Sequence, residues 1–220
     1  FTVTIRDQND NPSPLATGQS ILFNLTTTPG ATGTFYSDAA CTAGNEITTV
    51  TVAEGSATAV FYYKHTTVVS GIQATVTTTS TILNASYRTS SVTFSVVPAS
   101  MHHFVVSASD TSPMTAGGSR VITITSYDIY NNLTQFTGAL DLIFSGASAS
   151  PSPSAVVPTC SNASGADIPL GGSTRLNFTN SVATTTFKAY RAGTVLIKAT
   201  SGSVTTSDEQ ALNLIVRHNT

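Results

Sequence analysis

One short run, Asp7-Gln8-Asn9-Asp10-Asn11-Pro12, gathers two carboxylates and two asparagine amides. These are hard oxygen donors, the kind that Ca²⁺ collects in sets of six to eight. Asp7, Asn9, Asp10 and Asn11 are therefore the candidate metal ligands, and calcium is the one candidate cofactor. A simpler reading uses the same atoms. Asp and Asn side chains accept hydrogen bonds from backbone N–H groups two residues on, and so build tight turns unaided. The related run Asp128-Ile129-Tyr130-Asn131-Asn132 has a single carboxylate, which favours the turn.

The remaining reactive side chains are scattered. His102 and His103 precede a strand expected at Phe104. Neighbouring strand positions face opposite sides, which keeps two such rings from sharing one metal. The pair is expected to be exposed, near the junction between the two halves of the chain. Cys41 and Cys160 fall in different halves and read as unpaired, partly buried thiols. A bridge between them would need Cα atoms within about 7 Å, so the cysteines do not fix a redox compartment. Cys160 has no neighbouring histidine to act as its base. Lys188 and Lys198 lie in strand patterns, and a lysine–asparagine crosslink would need one of them buried beside an asparagine. Five Asn-x-Ser/Thr triplets occur, at Asn24, Asn84, Asn132, Asn162 and Asn177. Roughly four are expected by chance in a chain this rich in Ser and Thr. No paired carboxylates, nucleophile–base pair or metal cluster assembles. Catalysis within these residues is not expected.

The elements that position these residues are strands. Apolar residues alternate with polar ones at Phe1, Val3 and Ile5, at Ile21, Phe23 and Leu25, at Ile72, Ala74 and Val76, and at Val92, Phe94 and Val96. The second half repeats this at Phe104 and Val106, Ile122 and Ile124, Leu140 and Leu142, and Leu212 and Leu214. Period-two alternation marks half-buried strands. Turn clusters separate them at Thr28-Pro29-Gly30, Glu54-Gly55-Ser56, Gly117-Gly118, Gly171-Gly172 and Ser201-Gly202. Short strands punctuated this often indicate a sandwich or barrel. In the aromatic run Phe61-Tyr62-Tyr63, Phe61 and Tyr63 share one face and are expected in a core. Residues 148–168, with several prolines and little charge, read as a long surface loop.

Charged residues make up only 9% of the chain, against roughly 25% in ordinary soluble domains. The net charge is −2 and no basic cluster exists. Duplex binding needs clustered cations, so nucleic acid is not an expected partner. No apolar run approaches the roughly 20 residues of a spanning helix. A Thr-rich, Lys-poor composition points to a secreted or surface location.

The two halves repeat each other. Phe1-Thr-Val-Thr-Ile-Arg-Asp7 aligns with Ile122-Thr-Ile-Thr-Ser-Tyr-Asp128, and each run continues to an Asn, Asn11 or Asn132. Residues 56–61 resemble 181–187, and 71–75 resemble 195–200. The boundary falls at Val97-Pro98-Ala99-Ser100, giving domains at 1–98 and 99–220 joined by a short, semi-rigid link. The second half has about twenty residues, 100–119, ahead of its aligned strand. They read as a first strand at 104–107 and a Pro/Gly loop. The first half has no counterpart. Three explanations stand: a segment cut from a longer protein, a strand supplied by another chain at an open sheet edge, or residues 1–5 being the first strand themselves.

These repeats resemble the bacterial immunoglobulin-like repeats of invasin- and filamin-like surface proteins. The resemblance is carried by residues 7–12, Phe35-Tyr36, 55–63, 94–99, Ala116-Gly117-Gly118, 128–132, Gly138 and 178–190. It implies an all-β fold of two tandem immunoglobulin-like β-sandwiches. It implies an extracellular stalk, spacer or fibre module whose partners are neighbouring domains or further copies of itself. An adhesive or ligand-binding module, or an accessory domain of a secreted enzyme, is the alternative. The family pattern places Gly where this chain has Asp10 and Asn131. A positive φ is expected there, and Asn and Asp are the next best residues for it. The Asp7 run also resembles the calcium-binding linker of cadherins, but the other acidic motifs of that site are missing.

Overall fold

The computed structural model describes residues 1–28, 32–151 and 153–218. Pro29 and Gly30 of the first expected turn, and Ser152, lie outside them. The chain is all-β with several sheets. The one helical element among the described residues is a 3-10 turn at Ala85–Tyr87. Backbone packing divides the chain into two compact units, Phe1–Val97 and Pro98–Thr220.

Unit one contains β1 (Thr2–Thr4), β2 (Ile21–Thr28), β3 (Thr34–Tyr36), β4 (Glu46–Ile47), β5 (Thr49–Val52), β6 (Thr58–Val60), β7 (Tyr62–Lys64), β8 (Val69–Thr77) and β9 (Thr89–Val96). They form a four-stranded sheet in the order β5-β2-β8-β9, a three-stranded sheet β4-β3-β7, and the pair β1-β6. Alternation in β2 is complete: Ile21, Phe23 and Leu25 are buried, and Leu22 and Asn24 face out. Residues from all three sheets meet in one core, with Val3, Ile5, Phe35 and Phe61 against Ile21, Phe23, Val52 and Ala74. That shared core makes the unit a sandwich, because each sheet is apolar on one face only. Phe61 is buried and Tyr63 packs against the same core, as their shared face requires.

Unit two contains β10 (His103–Ser107), β11 (Met114–Thr115), β12 (Ser119–Tyr127), β13 (Gly138–Ser145), β14 (Thr159–Ser161), β15 (Asp167–Pro169), β16 (Ser173–Phe178), β17 (Val182–Lys188), β18 (Gly193–Ser201), β19 (Val204–Thr205) and β20 (Leu212–Arg217). One layer runs β10-β12-β17-β14-β15 and the other β16-β13-β18-β20-β11, with β19 bridging β10 and β18. Phe104, Phe144, Phe178 and Phe187 are fully buried between them. A buried aromatic of this size stabilises by about 1.5–3 kcal/mol relative to exposure. Residues 148–168 are not all loop: the stretch contains β14 and most of β15, which pair with each other, and β14 also pairs with β17. Strands of three residues are too short to show alternation.

The strands of unit one have counterparts in unit two. β2 lies between β5 and β8 as β13 lies between β16 and β18, and β3 joins β4 to β7 as β14 joins β15 to β17. The pairing Val3↔Ala59 repeats as Ile124↔Ala183, and Thr4↔Thr58 repeats as Thr125↔Val182. β1 therefore matches the end of β12. In unit two, β10 pairs along the other edge of β12, with Val106 opposite Ile124 and Phe104 opposite Ser126. Among the described residues no strand pairs with the corresponding edge of β1.

One alternation expected from the sequence fails. Val92 was predicted inward but is 48% exposed, and Phe94 is only half-buried. In β20, by contrast, Leu212, Leu214 and Val216 are all buried. β20 is covered by a neighbour in its own unit, since β10 bonds to the Gln210 carbonyl beside it and β11 pairs along its edge. β9 has no such neighbour among the described residues.

Candidate functional site

Asp7, Asn9, Asp10 and Asn11 fold into one closed loop at the end of β1. Oδ1 of Asp7 accepts the backbone N–H of Asn9 at 2.8 Å and that of Asn11 at 2.9 Å. The Asn11 side-chain amide lies 3.4 Å from both Asp7 oxygens. The backbone closes the same turn, Asp7 N–H donating to Asn11 and Asp10 N–H donating to Asp7. The backbone N–H groups of Asn11 and then Asn9 hold the Asp7 carboxyl below its ordinary range, against a small opposing effect of burial. Asp10 turns away from Asp7 and pairs with Arg6 at 3.5 Å, while Arg6 also donates to the Asp10 carbonyl at 2.6 Å. The two carboxylates of the candidate calcium set thus already face N–H groups and a guanidinium. Among the described residues no group of three or more His, Cys, Asp or Glu side chains converges.

The second loop repeats the geometry with its carboxylate buried. Asp128 Oδ1 accepts from Tyr130 and Asn132 N–H, each at 2.8 Å. The Asn132 amide reaches both oxygens, and Ala99 N–H donates to Oδ2 at 3.0 Å. Burial pushes the Asp128 carboxyl up, but the Asn132 side chain and the N–H groups of Asn132, Ala99 and Tyr130 outweigh it, so the net direction is down. Asp10 and Asn131, the positions where the resembled pattern has Gly, have φ of 66° and 64°. That is the left-handed region, which favours Gly, Asn or Asp at these positions. This arrangement makes a sharp corner leading out of a strand.

His102 and His103 sit differently from expectation. His102 precedes β10 rather than extending it, and the two Nδ1 atoms lie 3.3 Å apart. His103 is buried and stacks on Tyr127, with centroids 5.5 Å apart. Because His102 lies outside the strand, opposite-face alternation does not govern the pair. Burial, and then the charge of His102, pushes the His103 imidazole down; Asp128 pulls the other way.

Both cysteines are free thiols, Cys41 half-buried and Cys160 buried. Burial, with a smaller push from the Asp167 charge, raises the Cys160 thiol to about 12. A thiol held protonated is a poor nucleophile. Lys188 faces Asp167 at 2.5 Å, and Lys198 pairs with Asp208. Neither lysine faces the asparagine that a crosslink would need. One structural residue was missed in the sequence. Arg120, with its side chain 10% exposed, donates to the carbonyls of Asp110 at 2.5 Å and Ser112 at 2.9 Å and pairs with the Asp110 carboxylate. It ties down the connection between β10 and β12. No helix among the described residues is long and apolar enough to cross a membrane.

These features define an all-β sandwich fold whose most constructed polar sites are strand-end turns. No protein-family profile matches the sequence, and no curated protein does. Among solved structures, domains 4 and 5 of the S-layer protein SbsC align over 69% of this chain and 67% of theirs, at 19% identity and a TM-score of 0.34. Invasin, a bacterial integrin-binding protein, aligns over 99% of this chain and 35% of its own, at 12% identity and a TM-score of 0.35. A β-glycosidase from Bacteroides vulgatus aligns over 98% of this chain and 24% of its own, at 8% identity and a TM-score of 0.39. The chain thus spans well under two thirds of invasin and of the glycosidase. No residue role is transferred from any of them.

Proposed function

We propose that this chain is a non-catalytic structural module of an extracellular, cell-surface protein. In this reading its two units are tandem immunoglobulin-like sandwiches that act as a stalk or spacer, with neighbouring domains or further copies as partners. The observation behind it is the repetition itself. Strand order, the β1–β6 and β12–β17 register, and the Asp7 and Asp128 corners all recur. Repetition of one packing unit builds length, whereas the polar groups that recur are consumed in closing corners. Asp128 and the backbone of Ala99 also meet at the start of unit two, so the junction residues are tied into that unit's first corner.

Small-angle scattering on the chain, paired with a binding screen against polysaccharides and extracellular matrix proteins, tests the reading. A spacer gives an elongated particle and no saturable binding. Saturable binding that survives substitution of unit one but not of residues 148–158 would replace it with an adhesive function. Turnover of any glycoside substrate would overturn it outright.

A further inference from the structure

The open edge of β1 is flanked by space of a defined shape. Phe1 N–H donates to the Phe61 carbonyl, Phe61 N–H returns the bond, and Ile5 N–H donates to Ala57. Odd-numbered residues of this strand therefore bond to β6, and the backbone groups of Thr2 and Thr4 point the other way. In unit two the equivalent residues, Thr123 and Thr125, lie opposite Ser107 and Val105 of β10.

Beside this edge lie two cavities. One, of about 150 Å³, is lined by Phe1, Val3, Phe35, Phe61, Ala74 and Val92. It is open along the strand edge, where Thr2, Thr4, Thr75, Ser90 and Ser91 rim it, and its volume matches a benzene-sized apolar group. The second, about 680 Å³, continues along the strand past Ile5, Phe23, Ile82 and Leu83, with Arg6, Asp7 and Asp10 at its polar end. The repeat register shows what belongs there. Val106 lies opposite Ile124, which matches Val3, and Phe104 lies opposite Ser126, which matches Ile5. Both side chains are buried in unit two. A strand laid on β1 in the same register would place a Val106-type side chain in the first cavity and a Phe104-type side chain in the second. Successive inward residues of one strand are about 6.8 Å apart, so one segment fills both. It would also cover Val92 and Phe94.

We infer that the β1 edge of unit one is a strand-acceptor site, which takes an uncharged extended segment, apolar at alternate positions, antiparallel to β1. The occupant is a partner segment of that chemistry. Within a second copy β10 cannot serve as that segment, because it is paired on one edge with β12 and its Phe104 and Val106 are fixed in the core of unit two. The inference stands on the repeat register and the cavities, not on the spacer role, and either can fail alone.

The test uses the full chain, ¹⁵N-labelled, with a synthetic peptide of residues 101–109 as the probe. Shifts are expected at Val3, Ile5, Ala74 and Val92, with unit two unmoved. Amide exchange at Thr2 and Thr4 should slow by about tenfold or more, because newly bonded edge amides then exchange only on opening. The same peptide with Phe104→Asp and Val106→Asp should leave both unchanged. A weak complex is caught by a second form, in which the peptide precedes Phe1 through a flexible Gly/Ser linker at an effective concentration of about millimolar. Unprotected Thr2 and Thr4 amides in that linked form overturn the inference. So does equal protection by the Asp-substituted peptide. Concentration-dependent protection in the chain alone would replace the proposed occupant with a second copy.

Discussion

Unit one and unit two share a strand order but not a degree of closure. The core of unit two joins nineteen buried residues drawn from both layers, and that of unit one joins ten. The difference sits at one place. Unit two begins with β10, which covers the edge of β12 and puts Phe104 and Val106 between the layers. Unit one has cavities at the same address. The same asymmetry reaches the corners: Asp7 is exposed, whereas the Asp128 carboxylate is buried and accepts from Ala99 N–H. A first strand thus does more than add hydrogen bonds. It buries the last strand's inner face and draws the neighbouring corner into the interior.

Four perturbations probe this contrast. Phe104→Ala removes the largest side chain of β10 and should cost unit two about 4 kcal/mol, bringing its stability toward that of unit one. Calorimetry should show the higher transition fall while the lower one stays. Gly146→Ala comes next. Gly146 has φ of 105°, and a Cβ there would lie 1.8 Å from the Leu196 carbonyl oxygen, just past the β13–β18 ladder of unit two, whose counterpart in unit one is β2–β8. A loss of about 3 kcal/mol confined to unit two is expected in urea titration.

Asp128→Ala strands the N–H groups of Ala99, Tyr130 and Asn132 in a part-buried corner and should cost about 2 kcal/mol. Asp7→Ala at the exposed corner should cost clearly less, and equal losses would break the comparison. The smallest effect is in pH. His103 is held below its ordinary value in the folded state, so the unfolded chain binds the proton more readily. Its contribution is complete above the unfolded value of about 6.5 and is lost as pH falls through that value toward the lower folded one. The transition of unit two should move down between pH 7 and pH 5, and His103→Phe should flatten that slope.

Much of this was legible in the sequence, for identifiable reasons. Long strands such as β2, β12 and β18 bury one face, so alternation reveals them. The Asp-to-Asn corners are local, so their chemistry and the positive φ of Asp10 and Asn131 can be read from residue type alone. What was not legible depended on neighbours. The β14–β15 hairpin and the two-residue strands β11 and β19 are too short to carry a pattern. Val92 looks like a core residue, and its exposure follows from what lies beside it rather than from its own sequence. His103 looked like half of an exposed pair because its burial is set by Tyr127 and the Asp128 corner.

Cys160 has a practical consequence. Each unit holds one thiol, and the two differ in access: Cys41 is half-exposed, and Cys160 is sealed and held protonated. A thiol reagent added to the native chain should therefore mark Cys41 promptly and reach Cys160 only when unit two opens. The second, slow labelling step is a clock for that opening, built into the sequence with no foreign probe. Run at increasing temperature or under load, it would report when the better-closed unit gives way.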